Sequence, residues 1–176
     1  MATESNIPIS TGAETYVEIS RRWSGPALLL MRVLIGWHFF FAGITKVLEG
    51  DWTAAGYLGG VPEANPFKGF FSAMASSDLL PLIDILNMWG LTLVGLALIL
   101  GAAVRWSAFW GAIIMWFYWA SSLPLEHSVF VDDHIVYIAL LFALGAFGAG
   151  RYYGLDKYVE QWSIVKNNPA LTYLLG

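Results

Sequence analysis

Arg32, His38, Lys46, Asp84, Asn87, Trp119, Asp133, His134 and Tyr137 are the residues most able to do chemistry in an otherwise apolar chain. Each falls in or beside a long apolar run, where an ionisable group is costly, tends to face the protein interior and often carries function. Imidazole exchanges protons near neutrality, carboxylates accept them, and phenol, amide and ammonium groups donate hydrogen bonds. Asp133 and Tyr137 are i,i+4 neighbours, His134 and Tyr137 are i,i+3 neighbours, and Asp84 and Asn87 share a helix face in the same way. The set fits a pocket that hydrogen-bonds a small ligand and passes protons to or from it. In that reading His134, Asp84, Asp133 and Tyr137 are the catalytic group, and Lys46, Asn87, Trp119, His38 and Arg32 bind the ligand.

The elements that must position these groups follow from composition. Of 176 residues, 57% are hydrophobic and 12% charged, against roughly 25% charged in a soluble domain. Nine Trp, eight Tyr and eleven Phe suit rings that anchor helix ends at two membrane interfaces. The net charge is −4 and no basic run invites nucleic acid, so the expected surroundings are a lipid bilayer. The chain has no cysteine, which removes thiol nucleophiles, disulfide exchange and Cys-ligated metal or iron–sulfur sites. Redox chemistry would need a bound cofactor or a partner chain. Residues 1–25 are polar and lack the apolar core of a cleavable signal.

Four runs, 26–48, 79–101, 106–123 and 131–150, approach the ~20 apolar residues needed to cross a bilayer. Arg21, Arg22, Arg105, Arg151 and Lys157 then fall on one side, while Glu49, Asp51, Glu63, Asp78, Glu126, Asp132 and Asp133 fall on the other with only Lys46 and Lys68. The positive-inside rule predicts a multi-pass protein of the cell membrane with both termini cytoplasmic. The expected fold is an all-α membrane protein: a cytoplasmic tail over 1–25, a four-transmembrane-helix bundle over 26–150, and a cytoplasmic tail over 151–176. In that last segment Leu155, Tyr158, Val159, Trp162 and Val165 recur at helical spacing, which predicts an amphipathic helix on the inner surface. Tyr16, Ile19 and Trp23 suggest a similar role for the first tail. The Gly- and Pro-rich connection 49–78 reads as an outer lid with a short interfacial helix, its Phe67, Phe70 and Phe71 covering the pocket.

Counting ~1.5 Å per residue from the cytoplasmic ends puts Asn87, Trp119 and Tyr137 near 20 Å, His38 near 18 Å, Asp84 and His134 near 25 Å and Lys46 near 30 Å. All four spans thus deliver polar or aromatic groups to the outer half, and Lys46 is expected near Asp84 or Asp133. The alternative is an aromatic belt with solvated loop acids. Arg32, Gly36, Phe39, Gly43 and Lys46 share one face of the first span, whose two glycines predict close helix packing; on the plainer alternative Arg32 and Lys46 snorkel to opposite interfaces. His38 and His134 differ in depth by about 6 Å and sit in no attachment motif, so neither haem nor metal is expected.

Residues 32–36 (RVLIG), 43–46 (GITK), 95–101 (GLALILG) followed by Arg105, and 148–156 (GAGRYYGLD) resemble the DoxX/DoxD-like family, and 51–58 (DWTAAGYL) with 133–137 (DHIVY) resemble its DoxD-type branch. The resemblance runs from about residue 32 to 156. It implies a four-helix membrane protein; DoxD-type members are associated with thiosulfate:quinone oxidoreductase and terminal quinol oxidase assemblies, and others with oxidoreductase or stress-response complexes. Many members carry a Glu four residues before the glycine matching Gly95, where this chain has Leu91. The expectation is therefore a membrane subunit of a quinone-linked oxidoreductase, with quinone as cofactor and a partner subunit or second copy beside it. In that pocket His134 would donate to a quinone oxygen, oriented by Tyr137 or Asp133. The alternatives are a non-catalytic structural or assembly subunit of a respiratory complex, and a small-molecule carrier, which lacks the inverted repeat often found in transporters.

Overall fold

The computed structural model describes residues 12–126 and 129–176. Every regular element among them is helical: α1 Gly12–Glu49, α2 Ala55–Gly59, α3 Lys68–Ala75, α4 Leu80–Leu100, α5 Val104–Ser121, α6 Asp133–Ala146, α7 Asp156–Val159 and α8 Ser163–Lys166, with 3-10 turns at Ala149–Arg151 and Pro169–Tyr173. Two stretches, Arg22–Glu49 of α1 and Leu80–Leu100, are long and apolar enough to cross a membrane. The expected third span is the 18-residue α5. It is rich in Trp and Phe, and Phe109, Trp110, Trp116 and Phe117 face outward. The fourth expected span is shorter than its apolar run: α6 has 14 residues, about 21 Å of helix, and a left-handed Gly148 then turns the chain.

In the first tail, α1 runs through Pro26 from Gly12, so the first apolar run is the later part of a longer helix; residues 1–11 of that tail lie outside the described residues, as do the side chains of Tyr16 and Ile19. A proline inside a helix removes one backbone bond. Here the segment is braced by tertiary packing: a Cβ added at the buried Gly25 would meet the Tyr152 ring at 3.0 Å. The C-terminal segment is not one amphipathic helix. Trp162 adopts extended backbone between α7 and α8, Tyr158 and Trp162 are exposed, and only Val165 of the expected apolar face is buried together with Leu175. The tail is folded back on itself, since the Gly176 amide reaches the Asp156 carboxylate at 2.8 Å.

The helices alternate in direction as an up-and-down bundle. α1 packs chiefly on α4, and α5 on α6. The α1–α4 contact is backbone to backbone: a Cβ on Gly36 would lie 2.9 Å from the Ile99 nitrogen, and Cβ atoms on Gly43 and Gly95 would collide with the Thr92 and Phe40 amides. The glycine stripe is thus a packing surface, as its spacing predicts. Around it Ile35, Phe39, Leu91, Leu98, Val104, Met115, Leu141 and Leu144 form the main core.

The two ends of the bundle are closed differently. At one end Asp156 accepts hydrogen bonds from the amides of Ala103 (2.6 Å) and Val104 (3.0 Å), and Leu174 accepts one from Trp106. These partners satisfy amides at the start of α5 that have none within the helix. The amides of Leu155 and Asp156 in turn satisfy the Leu100 and Gly101 carbonyls. Gly101 is in the left-handed conformation that ends α4. At the other end α2 and α3 sit over α4 and α5, with Leu58, Val61, Phe71 and Ala120 in a second small core. Asn65 clasps this cap to the bundle by donating to the carbonyls of Ala120, Ser121 and Leu123 while accepting from the Phe67 amide.

Candidate functional site

α6 is capped by Asp132, whose Oδ1 accepts the Ile135 amide at 3.1 Å, the usual way an Asp N-cap satisfies a first-turn donor. Its Oδ2 lies 2.7 Å from His134 Nδ1, and Asp133 Oδ1 lies 3.4 Å from the same nitrogen. With Nδ1 directed at a carboxylate, Nε2 is the ring nitrogen left for a ligand. The imidazole stacks on Tyr118 of α5, with centroids 5.8 Å apart and planes 19° apart. One turn along α6, Tyr137 meets His38 of α1 at 5.0 Å.

These rings line a cleft of about 200 Å³ where α1, α5 and α6 meet. Phe39, Ala42 and Lys46 of α1, Leu91 of α4 and Met115 of α5 complete the walls. The cleft opens here because α1 leans on α4 and α6 on α5, so the α1–α6 seam is thinly packed. Of the sequence-predicted residues, His38, Lys46, Asp133, His134 and Tyr137 are brought together. Leu91 is in the same wall and makes it apolar there.

The remaining predicted residues are placed elsewhere. Asp84 accepts the Ala54 amide at 2.8 Å and so pins the start of α2. Asn87 exchanges hydrogen bonds with the Tyr118 hydroxyl, at 2.8 and 3.1 Å, behind the cleft. The Trp119 indole donates to the Phe130 carbonyl and packs on its ring. Arg32 is at the opposite end, fully buried, donating to the carbonyls of Ala149, Tyr152 and Tyr153. Among the described residues Lys46 forms no ion pair with Asp84 or Asp133; its ammonium donates to Ala42 O at 2.8 Å and lies 5.3 Å from the Trp52 ring centroid. The three phenylalanines do not cover the cleft: Phe71 is buried under the cap, Phe67 and Phe70 point outward, and none is in the cleft wall. The tethers at Asn65 and Asp84 hold that loop over α4 and α5 instead.

Tyr118 and Asp132 are the contributors the sequence reading missed. An Asp directly before an apolar helical run is an N-cap signal and could have marked Asp132. Tyr118 carries no mark separating it from an aromatic belt. His134 is oriented by Asp132, with Asp133 more distant, whereas Tyr137 pairs with His38. Asp132, Asp133 and His134 also place potential ligand atoms within 4.8 Å of one another, but all three come from one helix start and His134 Nδ1 is already engaged by Asp132.

A family model described as DoxX matches residues 27–122, from the start of the apolar part of α1 to the end of α5. No curated protein matches the chain, and no solved structure does. The match covers more than half of a chain whose helices carry apolar outward faces and whose α1 and α4 have membrane-spanning length. The protein is a membrane protein of the DoxX family.

Proposed function

We propose that the chain is the membrane subunit of a quinone-linked oxidoreductase, crossing the bilayer four times with both termini cytoplasmic, and that the His134 cleft receives the quinone ring. The four-span reading is supported by the outward apolar faces of all four long helices, among them Leu30 and Leu34 of α1, Leu86 and Leu93 of α4, Phe109 and Trp116 of α5, and Val136 and Phe142 of α6. Faces of this kind suit lipid and not water. The orientation is supported by Arg22, Arg105, Arg151 and Lys157 at the end where α4 meets α5.

The observation that carries the site is the Asp132–His134 pair stacked on Tyr118 in a cleft lined by α1, α4, α5 and α6. The cleft is smaller than the roughly 300–1,000 Å³ of pockets that engulf a ligand; it suits a ring whose tail stays in lipid. Leu91, Met115 and Phe39 offer apolar walls and His38, Tyr118 and Tyr137 aromatic ones. A bound quinone would supply two-electron, two-proton redox chemistry, the electrons coming from a reduced partner chain because this chain has no cysteine to hold an iron–sulfur centre. With Asp132 accepting from Nδ1–H, the neutral His134 ring would accept a quinol proton at Nε2, and the ring protonated at both nitrogens would donate it from Nε2 to a quinone oxygen. Lys46 would add positive charge at the rim.

A second reading, a structural or assembly subunit, draws on Asp84, Asn87 and Trp119, whose polar groups are engaged in holding loops and helices together. Purification in mild detergent, with extraction of quinone and identification of co-purifying chains, separates the two. His134→Ala should lower retained quinone about tenfold, as loss of one hydrogen bond predicts, with the melting temperature and partner unchanged. Partner retained with equal quinone in wild type and variant, or with none in either, supports the structural reading.

A further inference from the structure

At the end opposite the His134 cleft, a cavity of about 610 Å³ lies between residues 22–26 of α1, the end of α4 and the segment after α6. Its walls carry the cations Arg22, Arg151 and Lys157 and the rings of Tyr152, Tyr153 and Tyr158. Nearby acids leave part of this charge uncompensated. Glu160 takes up Arg151 through bonds to Nε at 2.7 Å and to the second terminal nitrogen, which raises that guanidinium further above its ordinary value. Asp156 is turned inward onto the Ala103, Val104 and Gly176 amides. Glu18 lies one turn before Arg22 and is exposed. Among the described residues neither Arg22 nor Lys157 forms an ion pair, while Arg151 does.

The surroundings distinguish a lipid from a free anion. Pro26 and Leu100 line the cavity beside the cations. Leu30 and Leu34 continue from Arg22 and Pro26 at four-residue steps along α1 and are 60% and 61% exposed, an apolar track of about 12 Å from Pro26 for the upper part of an acyl chain. Tyr153 and Tyr158 are 75% and 62% exposed, amphipathic rings at the level where headgroups meet hydrocarbon.

We propose that this cavity binds the phosphate-bearing headgroup of an anionic glycerophospholipid of the adjoining leaflet, with Arg22 and Lys157 contacting the phosphate and the acyl chain lying along α1. Basic recesses at the ends of membrane helices recognise such headgroups by charge. The site rests on the membrane character of the chain and is independent of the quinone reading. It also ties residues 22–26 of α1 to the segment after α6, two parts of the chain far apart in sequence.

The test is a thermal-melting titration of the full chain in mild detergent with phosphatidylglycerol, phosphatidylcholine, glycerol phosphate or inorganic phosphate. Phosphatidylglycerol should raise the melting temperature of the wild type at low mole fraction, and the other three should not. In the double variant Arg22→Gln/Lys157→Gln the half-saturating lipid concentration should rise ~30-fold, each cation near the surface contributing roughly fivefold. Both positions border the cavity outside the main core, and the charge-preserving Arg22→Lys/Lys157→Arg should titrate within a few-fold of the wild type. Equal protection by phosphatidylcholine, equal protection by inorganic phosphate or glycerol phosphate, or a double variant that titrates like the wild type would each overturn the proposal.

Discussion

Asp156 has no exposed surface, and its two oxygens take three backbone amides: Ala103 and Val104 at the start of α5, and Gly176 at the chain end. A Cβ on Gly150 would collide with it, so the glycine is what lets the carboxylate in. Asp156→Asn keeps one acceptor oxygen and sets an amide N–H against backbone donors. It should lower stability by about 3 kcal/mol, as weakening two charge-assisted bonds of roughly 1.5 kcal/mol each implies; an unchanged melting temperature in detergent would show that the carboxylate is not what holds this end. Arg32 sits nearby in a nest of carbonyls, where a Cβ on Gly101 or Gly154 would come within 2.5 or 2.7 Å of its guanidinium. At this scale sequence reading selects residue types well and partners poorly. His134 stands out as chemistry, but the N-cap signal that could mark Asp132 does not say that its second oxygen turns to His134. Asp156 reads as a solvated helix residue because its partners lie up to 53 positions away.

The α1–α4 pair is set by the absence of side chains. Gly36, Gly43 and Gly95 bring two backbones together, and Thr92 between them returns its hydroxyl to Met88 O at 2.7 Å, so it presents no unsatisfied donor to the contact. Gly95→Leu should destabilise by about 3 kcal/mol or more, at the upper end of overpacking, because the added atoms meet the Phe40 amide, which cannot swing aside. Gly59→Ala is the matched control: a Cβ there meets nothing within 4 Å, and its melting temperature should stay near the wild type. Comparable losses in both would show that close packing at Gly95 is not the cause, since helix propensity favours both replacements. The glycine stripe is legible from spacing alone, since small residues at helical intervals have few other uses in a membrane. Helix ends are less so. The apolar run 131–150 outlasts α6 because a left-handed Gly148 turns the chain, and the periodic residues near the C-terminus are divided by an extended Trp162.

For the whole molecule, the proposed orientation places Glu63 outside and Lys166 inside. The chain has no native cysteine to interfere, so Glu63→Cys should react with a membrane-impermeant maleimide in intact cells, and Lys166→Cys only after permeabilisation. The reverse pattern would invert the topology; labelling of both from one side, with both sites accessible, would call for an odd number of crossings. What the amino-acid sequence determined by itself is the solvent and the class: 57% hydrophobic residues in long runs require helices in a bilayer, and the order of glycine motifs pointed to the family that the DoxX match shows. Which polar groups meet was decided only by tertiary structure. Residue depth along a helix follows from rise per residue, but whether two groups at one depth touch depends on helix rotation and on which seams close. α1 closes on α4 through glycines, which leaves the α1–α6 seam open for His38, Lys46, His134 and Tyr137. The same packing sends Asp84 to the cap and Arg32 to the far end, where loop carbonyls need a donor.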